Sequence, residues 1–68
     1  MPITVSINGA QRSFVAPVTF TELLAELELA GKRLAVERNG EIVPRSSFGQ
    51  SRVADGDRIE VVIAVGGG

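Results

Sequence analysis

The chain has 68 residues and a net charge of −1, and it contains neither cysteine nor histidine. This length makes one domain, and the composition excludes disulfides, thiolate nucleophiles, imidazole catalysis and zinc sites of the usual kind. The near-neutral charge gives no indication of nucleic acid binding. The longest apolar stretch, residues 61–65, is far too short to cross a membrane. Because the N-terminus also lacks the pattern of a signal peptide, we expect a cytoplasmic protein.

The first part of the chain predicts a β-hairpin. Residues 3–7 alternate apolar and polar side chains, which is typical of a strand with one buried face. Asn8 and Gly9 follow, and this pair favours a type I′ turn because both central positions need positive φ. The return strand should cover about residues 11–16 at the edge of the sheet, since Pro17 closes it.

The next segment predicts a helix over residues 20–30. Thr19 and Glu22 have the spacing of a capping box at its N-terminus. Apolar side chains then recur at helical spacing and form one stripe, at Phe20, Leu23, Leu24 and Leu27. Gly31 suits the left-handed position after the last turn. Since the helix connects a hairpin to further strands, its apolar stripe should lie on the sheet.

Residues 34–38 and 41–43 predict two strands joined by the second Asn-Gly turn. A polar stretch, residues 45–54, follows, and we expect Phe48 and Val53 to anchor it to the core. The final strand, residues 58–64, is apolar on both faces and therefore belongs in the middle of a sheet.

The order β-β-α-β-β-β predicts an α+β domain: a mixed sheet of four or five strands with one helix packed across it. We expect this domain to cover residues 1–64 and to carry a flexible tail, residues 65–68.

The tail is a valine followed by three glycines. Glycine lacks a Cβ, so such a segment can thread where other residues cannot, and three residues reach roughly 10 Å when extended. The reactive group at its end is the α-carboxylate of Gly68, an anion at neutral pH. This anion resists nucleophilic attack, so it needs activation, usually as an acyl-adenylate. A frayed terminus without function is the alternative interpretation.

Other candidate sites are weaker. Asp55 and Asp57 could form a pair of carboxylates or a metal site, but their spacing around a glycine favours an exposed turn that uses Asp for local hydrogen bonds. Arg45, Arg52 and Arg58 could form a cationic patch for an acidic partner or could simply be solvated. The two Asn-Gly pairs are interpreted as turn chemistry and little else. The chain thus lacks the parts of a self-sufficient enzyme.

Four stretches of the sequence resemble the ThiS family, the sulfur carrier proteins of thiamine biosynthesis. They are residues 18–24, 39–45, 55–62 and 65–68. The terminal Gly-Gly is shared with all ubiquitin-like carriers, whereas the second and third stretches together are much more specific. The resemblance covers nearly the whole chain and implies a ubiquitin-like β-grasp fold.

The resemblance also implies a function and its partners. Gly68 would be adenylated with ATP by a ThiF-type adenylyltransferase and converted to a thiocarboxylate, whose sulfur goes to the thiazole synthase ThiG. Gly66 and Gly67 would thread into the partner active sites. We expect the partner to contact the open face of the sheet near the last strand, with Arg45 or Arg58 at the rim of that patch. The chain would then be a carrier and not an enzyme, with no bound cofactor or metal, and a monomer when free.

Three alternatives remain open at this point. The small subunit of molybdopterin synthase uses the same tail chemistry for another cofactor, although such subunits are usually longer and residues 43–45 favour ThiS. A protein modifier would be joined to lysines through Gly68. A β-grasp interaction module would carry an inert tail.

Overall fold

The structure is a computed structural model and describes residues 1–64 of the chain. Its elements, in chain order, are β1 (Ile3–Ile7), β2 (Ala10–Phe14), α1 (Phe20–Glu26), β3 (Leu34–Arg38), β4 (Glu41–Ile42), a 3-10 turn (Arg45–Ser47) and β5 (Arg58–Ile63). No helix within residues 1–64 has the length and apolar character needed to cross a membrane.

The five strands form one mixed sheet in the order β2-β1-β5-β3-β4. β5 runs parallel to β1 and antiparallel to β3, and the two hairpins are antiparallel. The central position predicted for the last strand is confirmed, as are the edge position of the second strand and the α+β architecture. In both hairpins the turn consists of Asn and Gly with positive φ, as the type I′ turn requires.

The core lies between α1 and one face of the sheet. Its fully buried side chains come from the helix, from three strands and from the loop before β5; they are Val5, Phe20, Leu23, Val36, Val53 and Ile59. The two predicted anchors of the long loop are confirmed, because Val53 is buried and the ring of Phe48 lies 6.2 Å from that of Phe20. The other face of the sheet is open: Val62 of β5 is 61% exposed, since the helix covers the opposite side.

The N-terminus of α1 has the predicted capping box. The backbone N–H of Glu22 donates to Oγ1 of Thr19 at 3.1 Å, and the backbone N–H of Thr19 donates to Oε1 of Glu22 at 2.8 Å. The backbone N–H of Thr19 and its hydroxyl, which donates to the same oxygen at 3.2 Å, stabilise the carboxylate and hold the pKa of Glu22 below its ordinary value, and Arg52 lowers it further. Two backbone donors at the start of the helix are thereby satisfied.

The C-terminus of α1 differs from the prediction. The helix ends at Glu26 with Leu27 as its C-cap, so the predicted extent to residue 30 is wrong. Glu28 takes the left-handed conformation, with φ of 60°, that the sequence assigned to Gly31. Gly31 also has positive φ, but it lies in the loop that leads to β3.

Two backbone hydrogen bonds close the helix in a Schellman motif. The N–H of Glu28 donates to the carbonyl of Ala25 at 3.0 Å, and that of Leu29 donates to the carbonyl of Leu24 at 2.8 Å. Leu29 also packs against the core, which gives the motif its usual hydrophobic contact. The packing of the half-buried Leu29 against the core therefore explains why the helix stops early at a residue that is not glycine.

We predict that Glu28→Gly raises the free energy of unfolding by about 0.5–1 kcal/mol, because glycine adopts the left-handed conformation without the steric cost of a side chain. Glu26→Gly removes the same charge but places glycine in the last turn of α1, and it should lower the free energy by a similar amount. Urea unfolding curves measure both variants. A Glu28→Gly protein less stable than wild type would contradict the prediction.

Candidate functional site

The predicted modified residue, Gly68, and the threading residues Gly66 and Gly67 lie outside residues 1–64. What the structure describes is the strand that leads to them. β5 ends at Ile63, and the N–H of the next residue, Ala64, donates to the carbonyl of Arg33 at 2.9 Å. The backbone is therefore hydrogen-bonded to the sheet up to the point where the predicted tail begins.

On one side, β3 holds β5 along its length. The antiparallel register pairs Leu34 with Ile63 and Arg38 with Ile59, so five consecutive residues of each strand face one another. On the other side, β1 pairs with β5 only at Arg58 and Ile59. The second half of β5 thus lies beyond the end of β1.

Asn8 extends the contact on this shorter side. Its backbone N–H donates to the carbonyl of Ile59 at 2.9 Å. Its side-chain Oδ1 accepts from the N–H of Val61 at 2.8 Å, and its Nδ2 donates to the carbonyl of Val61 at 3.1 Å. The amide of Asn8 thereby bonds both backbone groups of Val61 beyond the last pair of the β1–β5 ladder, and it holds β5 two residues closer to its end.

Asn39, in the second turn, holds the beginning of β5. Its backbone N–H donates to the carbonyl of Arg58 at 2.8 Å, and its Oδ1 accepts from the N–H of Arg58 at 2.9 Å. Its Nδ2 donates to Oδ1 of Asp57 at 3.2 Å. The interpretation of both Asn-Gly pairs as little more than turns is therefore wrong, since each asparagine side chain also binds the central strand.

The two aspartates before β5 are structural. Asp57 is only 8% exposed, which corrects the predicted exposed turn at this position. Its Oδ2 lies 2.9 Å from Nη2 of Arg38 and accepts from the N–H of Ala54 at 2.8 Å. Asp55 is exposed as predicted, and its Oδ1 accepts from the N–H of Thr4 at 2.7 Å. Within residues 1–64 no three acidic side chains come together in a group that could hold a metal ion.

Arg58 lies on the open face of the sheet. In a strand, alternate side chains share one face, so Glu60 and Val62 lie beside it while Ile59 and Val61 enter the core. The register places further side chains of β3 and β4 on the same face. We define the open-face patch as Ala35, Ile42, Arg58, Glu60 and Val62. Ile42 and Val62 are 65% and 61% exposed, which is unusual for apolar side chains of a sheet.

Arg45 lies on the other side of the sheet, where α1 packs. It borders a groove of about 200 Å³ whose apolar lining includes Leu24, Leu29, Leu34 and Phe48. Lys32 is a second cation on its border. We call this the helix-side groove. Leu34 pairs with Ile63, so the groove begins next to the end of β5. No motif in the sequence signalled this groove, because it depends on how the loop after α1 folds.

The two predicted partner arginines therefore do not belong to one patch, since they lie on opposite faces of the sheet. Each nevertheless belongs to a surface that includes β5 or its neighbour β3. A protein that takes up residues 65–68 has to approach the end of β5, where both surfaces are within reach.

The comparisons with known proteins agree with this geometry. The family model described as "ThiS family" matches residues 5–68, which is almost the whole chain. The chain belongs to the ThiS family. One relative, the sulfur carrier protein ThiS of Bacillus subtilis, is 42% identical over 50 residues, which are 74% of this chain and 76% of that protein.

A solved structure confirms the fold. The crystal structure of the thiamine biosynthesis protein ThiS from Geobacter metallireducens superposes with a TM-score of 0.83 at 33% identity. The match covers 97% of this ThiS-family chain and 100% of the other. The predicted ubiquitin-like β-grasp fold is therefore confirmed.

A second kind of relative is much longer. The thiazole synthase of Paramagnetospirillum magneticum contains a stretch 52% identical over 62 residues, which is 91% of this chain but 19% of that protein. The thiazole synthase of Magnetococcus marinus is 38% identical over 64 residues, 20% of its length. The chain thus spans about a fifth of the length of these two relatives.

We predict that Asn39→Gly lowers the free energy of unfolding by about 1–3 kcal/mol, because it removes two side-chain hydrogen bonds while glycine keeps the left-handed backbone. Glu28→Gly is the matched control, since Glu28 is also left-handed but its side chain does not hold β5. Urea unfolding midpoints provide the measurement. An Asn39→Gly midpoint equal to that of wild type would show that the side chain only shapes the turn.

Proposed function

We propose that this protein carries sulfur for thiazole formation in thiamine biosynthesis, as a thiocarboxylate on Gly68. The observation that carries the proposal is the ThiS family match, which continues to residue 68 and so includes the predicted tail. The geometry supports it, because a strand hydrogen-bonded through Ala64 leads directly to that segment. The sulfur carrier ThiS of Bacillus subtilis, which resembles most of the chain, agrees with this function.

The chemistry needs a partner that activates the carboxylate. A carboxylate oxygen of Gly68 attacks the α-phosphorus of ATP, pyrophosphate leaves, and an acyl-adenylate forms. Hydrosulfide, the simplest sulfur nucleophile, then attacks the acyl carbon, the bond to AMP breaks, and the product is the thiocarboxylate. A persulfide donor would instead give an acyl disulfide, and a thiol would have to reduce its S–S bond to release the thiocarboxylate. The chain has no cysteine or histidine to promote these steps. A ThiF-type adenylyltransferase would supply the catalysis, and the chain would be its co-substrate and not an enzyme.

The fold suits a carrier whose terminus enters another protein. The backbone is fixed to the sheet through Ala64, and residues 65–68 reach at most about 14 Å beyond it. An active site that takes up Gly68 must therefore lie close to the domain, and its rim must contact the surfaces around the end of β5. The side chains that stabilise the domain, such as Ile59 and Val61, lie inside and take no part in that contact.

We propose the thiazole synthase ThiG as the second partner. In support, thiazole synthases of two bacteria contain a segment similar to this chain. When two units that exchange a group belong to one polypeptide, their effective concentration is high and the encounter becomes intramolecular. The free chain would meet the same partner as a separate monomer.

The partners would recognise both surfaces next to the end of β5. The open-face patch offers exposed apolar side chains with Arg58 at its border, and the helix-side groove offers an apolar lining with Arg45 and Lys32. Apolar area contributes affinity, whereas charges at the border mainly raise the association rate and make it depend on salt. These cations suit an acidic rim around the active site of the adenylyltransferase.

We predict that deletion of Gly68 abolishes thiocarboxylation and leaves the melting temperature unchanged. The new terminal carboxylate would lie roughly 3.5 Å short of its place in the partner active site. A misplacement of about 1 Å can already cost a hundredfold in rate. Addition of an alanine after Gly68 should also abolish thiocarboxylation, because it shifts the carboxyl group and puts a Cβ beside it.

Mass spectrometry of the intact protein tests this prediction after incubation with the adenylyltransferase, ATP and a sulfur source. Wild type should gain the mass of one sulfur in place of one oxygen, and both variants should not. Thiocarboxylation of the shortened chain at the wild-type rate would exclude Gly68 as the carrier residue. Thiocarboxylated wild type is then incubated with a thiazole synthase. Loss of its sulfur to that enzyme favours the thiazole function over the molybdopterin alternative.

We predict that Arg45→Glu and Arg58→Glu each slow activation at low salt by about three- to tenfold, and that added salt reduces the difference. Arg12→Glu is the control for charge alone, because Arg12 lies on β2 at the edge of the sheet away from β3. Initial rates of adenylation at two salt concentrations give the comparison. If all three variants behave alike, neither arginine belongs to the partner surface.

A further inference from the structure

The amide of Asn8 is held in a position that bears on its chemical stability. Asn8 precedes Gly9, and asparagine is among the thermolabile residues. Glycine has no side chain to shield its backbone nitrogen, so that nitrogen can reach the side-chain carbonyl of a preceding asparagine. Both residues are exposed, and water has access to them.

We propose that Asn8 is a site of spontaneous deamidation that the native fold suppresses, and that deamidation releases the second half of β5 from Asn8. In this reaction the backbone nitrogen of Gly9 attacks Cγ of Asn8. The bond from Cγ to Nδ2 breaks, ammonia leaves with the proton of Gly9, and a cyclic succinimide forms. Water then opens the ring and leaves aspartate or isoaspartate. The co-reactant is water, and nothing is oxidised or reduced.

The hydrogen bonds to Val61 account for the suppression. Oδ1 accepts at 2.8 Å and Nδ2 donates at 3.1 Å to the same residue of β5. They hold the amide against the central strand, so the rotation that brings Cγ up to the nitrogen of Gly9 requires the amide to leave Val61. Both bonds must break before the attack, which therefore requires local opening of the sheet at this position.

The product no longer fits the site that the amide occupied. An ionised carboxylate accepts hydrogen bonds and cannot donate. One of its oxygens could still accept from the N–H of Val61. The other oxygen would face the carbonyl oxygen of Val61, and these two acceptors repel each other because neither can donate a hydrogen. Isoaspartate would in addition lengthen the backbone of the turn. Since β1 ends at Ile7, β5 would then keep only β3 as its partner beyond Ile59.

This segment of β5 leads to the predicted tail, so the modification would loosen the base from which residues 65–68 extend. The inference itself does not rest on the proposed function, because it concerns the amide and its hydrogen bonds to Val61. Its test accordingly uses deamidation and hydrogen exchange and needs no partner enzyme.

The first experiment compares wild-type protein in mildly alkaline buffer with the same protein in concentrated urea. Mass spectrometry of proteolytic peptides follows conversion of Asn8 over time, and the Asn39-Gly40 pair serves as an internal reference for the unfolded chain. Since attack needs an open state, conversion of Asn8 in the folded protein should be slower than in urea by about tenfold or more. A smaller difference would overturn the proposal, because the fold would then give no protection.

The second experiment tests the consequence with Asn8→Asp, which mimics the product. Gln11→Glu adds the same charge on neighbouring β2 without contacting β5 and is the matched control. Amide hydrogen exchange of Val61, measured by NMR, should be about tenfold faster in Asn8→Asp and unchanged in Gln11→Glu. Loss of folding in Asn8→Asp alone would support the same conclusion. Exchange at the wild-type rate in both variants would overturn it.

Discussion

The hydrogen bonds on both sides of β5 are the constraint on which the rest of the domain depends. Each hairpin is a local structure closed by its own Asn-Gly turn, and in the sheet each hairpin is paired with β5, which lies between them. β5 is the last strand in sequence, so the sheet is completed only when it inserts between β1 and β3. Its side chains Ile59 and Val61 then close the core against α1. The element next to the predicted tail is consequently also the element that joins the whole fold.

Alternate side chains of β5 lie on opposite faces of the sheet, so one set can stabilise the core while the other set is free to contact a partner. One set of side chains enters the core, and the other set, which includes Arg58 and Val62, lies on the open face. On that face Val62 lies beside the charged Arg58 and Glu60 and stays 61% exposed, which costs an isolated domain the free energy of its burial. That cost is understandable if a partner covers the face while it takes up the terminus. The base of the tail can therefore be rigid while the surface around it remains available.

Features set by neighbours in sequence could be predicted, and features set by distant contacts could not. The two Asn-Gly turns, the Thr19–Glu22 capping box and the central strand each leave a local pattern. The end of α1 does not, because it depends on burial of Leu29, which made a glutamate acceptable where glycine was expected. The bond from Asn8 to Val61 joins residues 53 positions apart, and that from Asn39 to Asp57 joins residues 18 apart. The helix-side groove likewise exists only once the loops around α1 are in place.

The chemistry proposed for Gly68 also constrains the rest of the composition. An acyl-adenylate reacts with thiols and amines, and the chain has no cysteine and a single lysine, Lys32, among its seven cations. The other six are arginines, whose guanidinium groups stay protonated and are not nucleophiles. Lys32 borders the helix-side groove, which begins next to the end of β5. The remaining amine is the N-terminus of Met1, and because β1 runs parallel to β5 it lies at the end of the sheet opposite to Ile63. A carrier that uses arginine for six of its seven cations thus leaves Lys32 as the one side-chain amine that an activated terminus could meet.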